Sequence, residues 1–278
     1  MTDTSRAIQI VASDLDGTLL APNHQLSTYS KETLAKLHQA GFHFVFATGR
    51  HHIDVAGIRE ITGIPAFMIT SNGARVHTPS NKLMFSKDIP SHLVQPIIDL
   101  IKDDDELYIH IYRSQDWLLN REDESLRKFH DESGFKHKIY DANQAPDTDV
   151  SKIFFTHTGK SYEHLAKYEA KLNETFGDQI EVAFSTPWCL EVMGANVSKG
   201  HALDLVAQHL GYDLSRCIAF GDGMNDIEML RMAHNSCVMG TAHERVFAAL
   251  PEHVEVIGSN ADDAVAHYLT EHLLSNAK

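Results

Sequence analysis

Short apolar runs closed by polar or glycine-bearing turns mark the first part of the chain. Ile8 to Ser13, Phe42 to Ala47 and Ala66 to Thr70 each predict a buried strand. Between the first two, Leu34 and Leu37 share one face of a predicted helix that starts near Ser27 or Ser30 and ends at Ala40, stopped by Gly41. Ile53 to Thr62 suits a second helix, ended by Gly63 and Pro65. Strands alternating with short helices predict a parallel sheet with helices on both faces.

From about Ile89 the pattern changes. It reads helix (Ser91 to Lys102), strand (Leu107 to Tyr112), strand (Asp116 to Leu119), helix (Glu122 to Ser133) and the polar loop "DANQAPDTD". A strand (Lys152 to His157), a helix (Ser161 to Phe176) and two strands (Ile180 to Phe184, Cys189 to Val192) follow. Leu165, Tyr168, Leu172 and Phe176 form one stripe of the last of these helices. Along Leu107 to Tyr112, Leu and Ile alternate with Tyr108, His110 and Tyr112, so one side of that strand is more polar, with the sequence silent on which way it faces.

The α/β alternation then resumes, with helices Lys199 to Leu210, Ile227 to Ala233 and Asp262 to Leu274 and strands Cys217 to Phe220 and Val254 to Ile257. The expected fold is α/β, a doubly wound, Rossmann-like parallel-sheet core formed by residues 1–88 and 193–278. An α+β insertion occupies residues 89–192.

Such sheets bind ligands at the carboxyl ends of their strands. There stand Asp14, Asp16 and Thr18; Thr48, Gly49 and Arg50; Ser71, Asn72 and Gly73; and Asp222, Asn225 and Asp226 within "GDGMND". Asp, Asn and Gly are ordinary cap and turn residues, which would explain any one of these. "DLDGT" and "GDGMND", each behind an apolar strand, instead bring four carboxylates to one edge, where they repel unless a cation intervenes. Oxygen ligands without Cys or His suit Mg²⁺ with water and a substrate phosphate. Lys199 opens a predicted helix, where the macrodipole disfavours a cation but favours a phosphate beside it.

Composition narrows the partners. The 278 residues carry a formal charge of −14, which argues against a nucleic-acid surface. No apolar stretch has the length of a membrane span, and none resembles a signal peptide. Cys189, Cys217 and Cys237 form no CxxC pair and read as reduced core thiols, consistent with a cytoplasmic protein. The 19 histidines are scattered; His51 is expected to be exposed or structural, with substrate contact the weaker reading. Tyr108, Tyr112, Trp117 and Trp188 read first as core, though each could stack on a flat ring.

"DLDGTLL", "FATGR", "SKGHAL" and "GDGMND" together resemble the four ordered motifs of the haloacid dehalogenase-like phosphatases, and the insertion resembles the cap of their Cof-type branch. The resemblance implies Asp14 as a nucleophile that becomes an aspartyl-phosphate, and Asp16 as proton carrier. It implies that Thr48 hydrogen-bonds the phosphoryl oxygens and Lys199 neutralises their charge, with Leu15, Gly49, Arg50, Asn72 and Asn225 around the substrate. A structural salt bridge is an equal reading for Arg50, and steadying Lys199 or a metal-bound water is a second one for Asn225. Mg²⁺ would be held by Asp14, Asp16 (through its carbonyl) and Asp222, with Asp226 either a ligand or a brace for Lys199.

"NGARVHT", "FSTPWCLEVM", "MGTA" and "AVAHYLT" extend the likeness within that branch. They imply hydroxymethylpyrimidine pyrophosphate as substrate, with pyridoxal phosphate and sugar phosphates also accepted. A broad-specificity phosphatase, a phosphomutase and a non-enzymatic binding protein are the rival readings. The expected partner is a small phosphorylated metabolite, with no nucleic acid or membrane, and the expected assembly a monomer or weak homo-oligomer.

Overall fold

The computed structural model describes residues 8–123 and 134–275. Two sheets organise it. In the first, β1 (Ile10–Asp14), β2 (His43–Ala47), β3 (Ala66–Thr70), β12 (Cys217–Gly221), β13 (Asn235–Met239) and β14 (Glu255–Ile257) run parallel, and the antiparallel hairpin β4 (Arg75–His77) and β5 (Leu83–Ser86) extends one side. The order is β14-β13-β12-β1-β2-β3-β4-β5. Strand order therefore reverses on either side of β1, and the crevice beyond its carboxyl end is the natural ligand position.

Helices cover both faces. Leu34 and Leu37 of α1 (Thr28–Gln39) pack on one face together with Val265 and Leu269 of α8 (Ala264–Leu269). On the other face lie Leu203 and Val206 of α5 (Lys199–His209) and Met229 and Leu230 of α6 (Ile227–Met232). Ser27 and Ser198 cap α1 and α5 by accepting backbone hydrogen bonds from Ser30 and His201, which starts α5 at Lys199. The helix α2 (Ala56–Thr62) begins three residues later than the sequence suggests and ends at Gly63 in the left-handed conformation.

The second sheet has the order β10-β11-β9-β6-β7-β8. It comprises β6 (Leu107–Arg113), β7 (Trp117–Leu119), β8 (His137–Ile139), β9 (Val150–His157), β10 (Ile180–Thr186) and β11 (Cys189–Gly194), antiparallel except for β7 with β8. Strand alternation divides its faces. Leu107, Ile109 and Ile111 join the apolar layer under α3 (Ser91–Asp99) and α4 (Tyr162–Phe176). Tyr108, His110 and Tyr112 face the other way, onto a cavity.

The strands β4, β5, β8 and β13 and the helix α7 (Glu244–Ala249) were not expected from the sequence. β4 has one apolar residue, Val76, and β13 starts with Asn235 and Ser236, so neither shows an apolar run of strand length. The expected helix from Asp262 to Leu274 starts only at Ala264, because Asp263 is left-handed (φ 54°), and it widens into a π-turn at Thr270–Leu274. The expected helix from Glu122 to Ser133 falls mostly on residues 124–133, outside the described residues. Among the described residues no helix is long and apolar enough to cross a membrane.

Candidate active site

The last residue of β1, Asp14, is 5% exposed and stands at the crevice. The chain turns sharply after it, with Leu20 N–H donating to the Leu15 carbonyl (2.8 Å). Gly17 makes the turn possible: its φ is +83°, and a Cβ there would lie 2.4 Å from Asp222 Oδ2. The loops after β1 and β12 thus touch, bringing Asp14, Asp222 and Asp226 together.

Lys199 Nζ donates to Asp14 Oδ1 (2.5 Å) and to Asp226 Oδ1 (2.7 Å). At 1% exposure it sits behind Asp14. Burial opposes its charge, but the two carboxylates outweigh that and push its pKa up. Asp226 Oδ2 accepts the backbone N–H groups of Asp222 (3.0 Å) and Gly223 (2.9 Å). Both Asp226 oxygens are therefore engaged by donors, which suits a brace for Lys199 better than a metal ligand.

Burial, only partly countered by Lys199, raises the Asp14 pKa, with repulsion from Asp226, Asp222 and Asp16 adding to it. Burial and then repulsion from Asp226 push Asp222 up to about 7. Oxygens of Asp14, Asp222 and Asp226 lie within 4.8 Å of one another. The excess of buried negative charge and the all-oxygen donor set fit a hard divalent cation, with Asp14 and Asp222 as its carboxylates.

Asp16 behaves differently. Burial would raise its pKa, but hydrogen bonds from His24 and Arg50 and the Arg50 charge prevail and lower it to about 2. Arg50 Nε lies 2.7 Å from Asp16 Oδ2, its Nη2 reaches Oδ1, and Nη1 lies 3.8 Å from Asp54. Arg50, for which substrate contact and a structural salt bridge were equal expectations, is thus engaged with carboxylates of the protein itself.

Thr48, Gly49, Arg50 and Asn225 line the cavity with Asp14, Asp16, Asp222 and Asp226. Two expected substrate contacts differ. The Leu15 side chain is fully buried in the apolar layer, leaving only its backbone to meet a ligand. Asn72 is 1% exposed, and its amide donates to Glu191 Oε2 (2.6 Å) while its carbonyl accepts from Asn225 Nδ2 (3.1 Å).

The cavity, about 800 Å³, is roofed by the second sheet. Tyr108, His110, Tyr112, Trp117, Phe154 and Trp188 line it, so the polar side of β6 is the cavity side. Trp117 is buried, as expected, but Trp188 is 39% exposed and carries Lys160 Nζ 5.2 Å from its ring centroid. His51 is structural rather than exposed. Its Nδ1 accepts from Ile53 N–H (3.2 Å), which leaves Nε2 to donate to the Arg113 carbonyl (2.6 Å).

Lys152 and Glu191, both buried cavity residues, were missed from the sequence. A signal was present: each is a lone charge within an apolar strand, "SKIFF" and "CLEVM". A second cluster of ligand-type groups, Glu106, His157 and His164, gathers where the end of β9 meets α4. His157 Nδ1 accepts from Gly159 N–H (2.9 Å) and Ser161 N–H (3.1 Å), which puts the ring proton on Nε2, facing Glu106. That nitrogen is a donor in this arrangement and does not suit a metal.

The fold and this constellation of carboxylates are those of a phosphoryl-transfer enzyme, and comparison with known proteins gives the family. The chain belongs to the haloacid dehalogenase-like hydrolases, whose family model matches residues 11–269. It is an enzyme of the phosphatase kind. A protein of Haemophilus influenzae, provisionally named a phosphatase, is 42% identical over 93% of this chain and 94% of its own. The HMP-PP phosphatase of Cronobacter sakazakii is 38% identical over 94% of both chains. Among solved structures, a haloacid dehalogenase-like hydrolase of B. subtilis superposes with a TM-score of 0.82 at 24% identity, covering 96% of this chain and all of that one.

Proposed function

We propose that this protein is a Mg²⁺-dependent phosphatase that hydrolyses a small phosphorylated metabolite through a phosphorylated Asp14, with hydroxymethylpyrimidine pyrophosphate as its principal substrate. One observation carries the mechanism. Lys199 holds Asp14 by Oδ1, while Oδ2 accepts no hydrogen bond from the described residues and Asp14 lines the cavity.

In the first step Asp14 Oδ2 bonds to phosphorus, the bond from phosphorus to the leaving oxygen breaks, and that oxygen takes a proton from Asp16. In the second, a water gives its proton to Asp16 as its oxygen bonds to phosphorus, and the bond to Asp14 breaks. Asp16 must leave Arg50 to carry a proton, because that pair holds it ionised. Thr48 hydrogen-bonds the phosphoryl oxygens, and Lys199, held behind Asp14, neutralises their charge. A divalent cation held by Asp14, Asp222 and the carbonyl of Asp16 would supply charge neutralisation for the phosphoryl group.

In this reading residues 89–192 act as a cap that excludes water and reads the leaving group, over a core of residues 1–88 and 193–278. The aromatic lining supports a flat ring as leaving group, and the relative named HMP-PP phosphatase supports the pyrimidine in particular. The three free thiols, two of them buried, favour a cytoplasmic location.

The test is phosphate release with Mg²⁺ from hydroxymethylpyrimidine pyrophosphate, pyridoxal phosphate, several sugar phosphates and an aryl phosphate. An EDTA-treated sample runs alongside. A sharp peak on the pyrimidine, abolished by EDTA, is the expected result. A flat profile would replace the specific substrate with broad specificity, and no release from any ester would overturn the reading.

A further inference from the structure

Lys152 on β9 and Glu191 on β11 occupy adjacent strands of the second sheet and are 2% and 3% exposed. Lys152 Nζ donates to Glu191 Oε1 (2.5 Å) and crosses to the first sheet's edge, donating to the Gly49 carbonyl (2.6 Å). Glu191 Oε2 crosses as well, accepting from Asn72 Nδ2 (2.6 Å), and Asn72 Oδ1 accepts in turn from Asn225 Nδ2 (3.1 Å). One chain of hydrogen bonds thus joins the pair to the loops after β2, β3 and β12. A Cβ on Gly49 would lie 3.0 Å from Asn72 Oδ1 and 3.4 Å from either Glu191 oxygen, so the network fills the space above that loop.

Packing of the second sheet does not call for charge at these two positions. Taking two charges out of water is costly, and well-packed apolar residues commonly serve stability as well or better. Nor is the pair well placed to read a leaving group. Both Glu191 oxygens are engaged within the protein, and Lys152 has two acceptors with its remaining surface over the Phe154 ring (4.6 Å). What the pair does hold is the Gly49 carbonyl and the Asn72 amide, directly beside Thr48 and Asn225.

We infer that Lys152 and Glu191 are positioning residues for phosphoryl transfer: the second sheet uses them to fix the loops bearing Thr48 and Asn225 in the geometry the reaction needs. This rests on the reading of the crevice as the site of phosphoryl transfer. The pair acts on the phosphoryl end of every substrate, whatever its leaving group.

The experiment compares wild type, Lys152→Met, Glu191→Gln and the double variant Lys152→Met/Glu191→Leu, with Mg²⁺, on pyridoxal phosphate and para-nitrophenyl phosphate. The double variant removes both charges together, so it keeps the test valid if a single variant fails to fold. Expected is a kcat lower by about 10- to 100-fold, by the same factor on both esters and with little change in KM. The double variant regains a thermal midpoint near wild type yet stays slow. Wild-type kcat in the folded double variant would make the pair merely structural. A loss confined to one ester would make it a substrate contact. An Asp14→Asn control separates the two levels: if wild-type release does not depend on Asp14, the reading of the site fails and this inference falls with it. If that dependence holds, the variants judge the pair alone.

Discussion

The floor and the roof of the cavity follow opposite rules. The floor is built from loops after parallel strands, and its carboxylates are buried in excess over cations: Asp14 and Asp226 share the ammonium of Lys199, while Asp222 beside them accepts from the Thr18 hydroxyl. The roof is a mostly antiparallel sheet in which buried Lys152 is balanced by buried Glu191, among aromatic rings. The floor's imbalance raises the pKa of Asp14 and Asp222 and suits a cation and a phosphate; the roof's neutrality suits a flat, less charged group. Charge imbalance marks where chemistry is expected, and charge balance marks where shape is read.

Asparagine at position 14 should break the floor most completely. Asp14→Asn keeps the shape but removes the proposed nucleophile, and phosphate release should fall by at least about 10³-fold, with an unchanged far-UV spectrum. Lys199→Met should come next. It leaves Asp14 and Asp226 buried without their shared cation, lowering metal-free stability by roughly 3 kcal/mol. Thermal melts should then show a larger gain from Mg²⁺ than wild type does; an equal gain would mean that the cation and the lysine do not share these carboxylates.

The contact between floor and roof should respond to acid through His51. Burial, then the neighbouring His52, lower its pKa from 6.5 to about 3. The unfolded chain takes up this proton at a higher pH than the folded one, so stability present above pH 6.5 is lost as pH falls toward 3. Urea midpoints measured from pH 7 to pH 4 should fall, and less steeply in His51→Phe, whose ring can still stack on Phe135, 4.4 Å away. An identical slope in both proteins would remove His51 from the explanation.

The smallest effect is expected at the roof's rim. Trp188→Ala, at a position 39% exposed, should change stability by no more than about 0.5 kcal/mol. It should raise KM for a ring-bearing ester roughly two- to tenfold, leaving a sugar phosphate unaffected. Equal effects on both esters would argue that Trp188 does not read the ring.

The same contrast explains what the sequence revealed. On the floor, ligand loops directly follow apolar strands, so "DLDGT" and "GDGMND" displayed their carboxylates in short, local patterns, and the alternating order predicted the parallel sheet that brings them together. The hairpin of β4 and β5 left no such pattern, because "RVH" has one apolar residue between two polar ones although all three are buried between β3 and β5. On the roof, the buried charges pair across a long stretch of sequence. Lys152 and Glu191 are 39 residues apart and meet only through strand register. The polar side of β6 was visible in the alternation of Tyr108, His110 and Tyr112, but its direction was set by α3 and α4 covering the other face. Leu15 was expected beside the substrate, and the turn that aims Asp14 at the cavity aims Leu15 into the core.

Mass spectrometry of rapidly quenched enzyme offers the sharpest test of Asp14 as the atom donor to phosphorus. The Asp16→Asn protein, mixed with Mg²⁺ and para-nitrophenyl phosphate, whose leaving oxygen needs no proton, and quenched in acid, should accumulate one phosphoryl group on the peptide containing Asp14. Hydroxylamine should remove it, as expected of an acyl phosphate. Turnover without any such adduct, or an adduct on a different residue, would contradict the assignment of Asp14 as nucleophile.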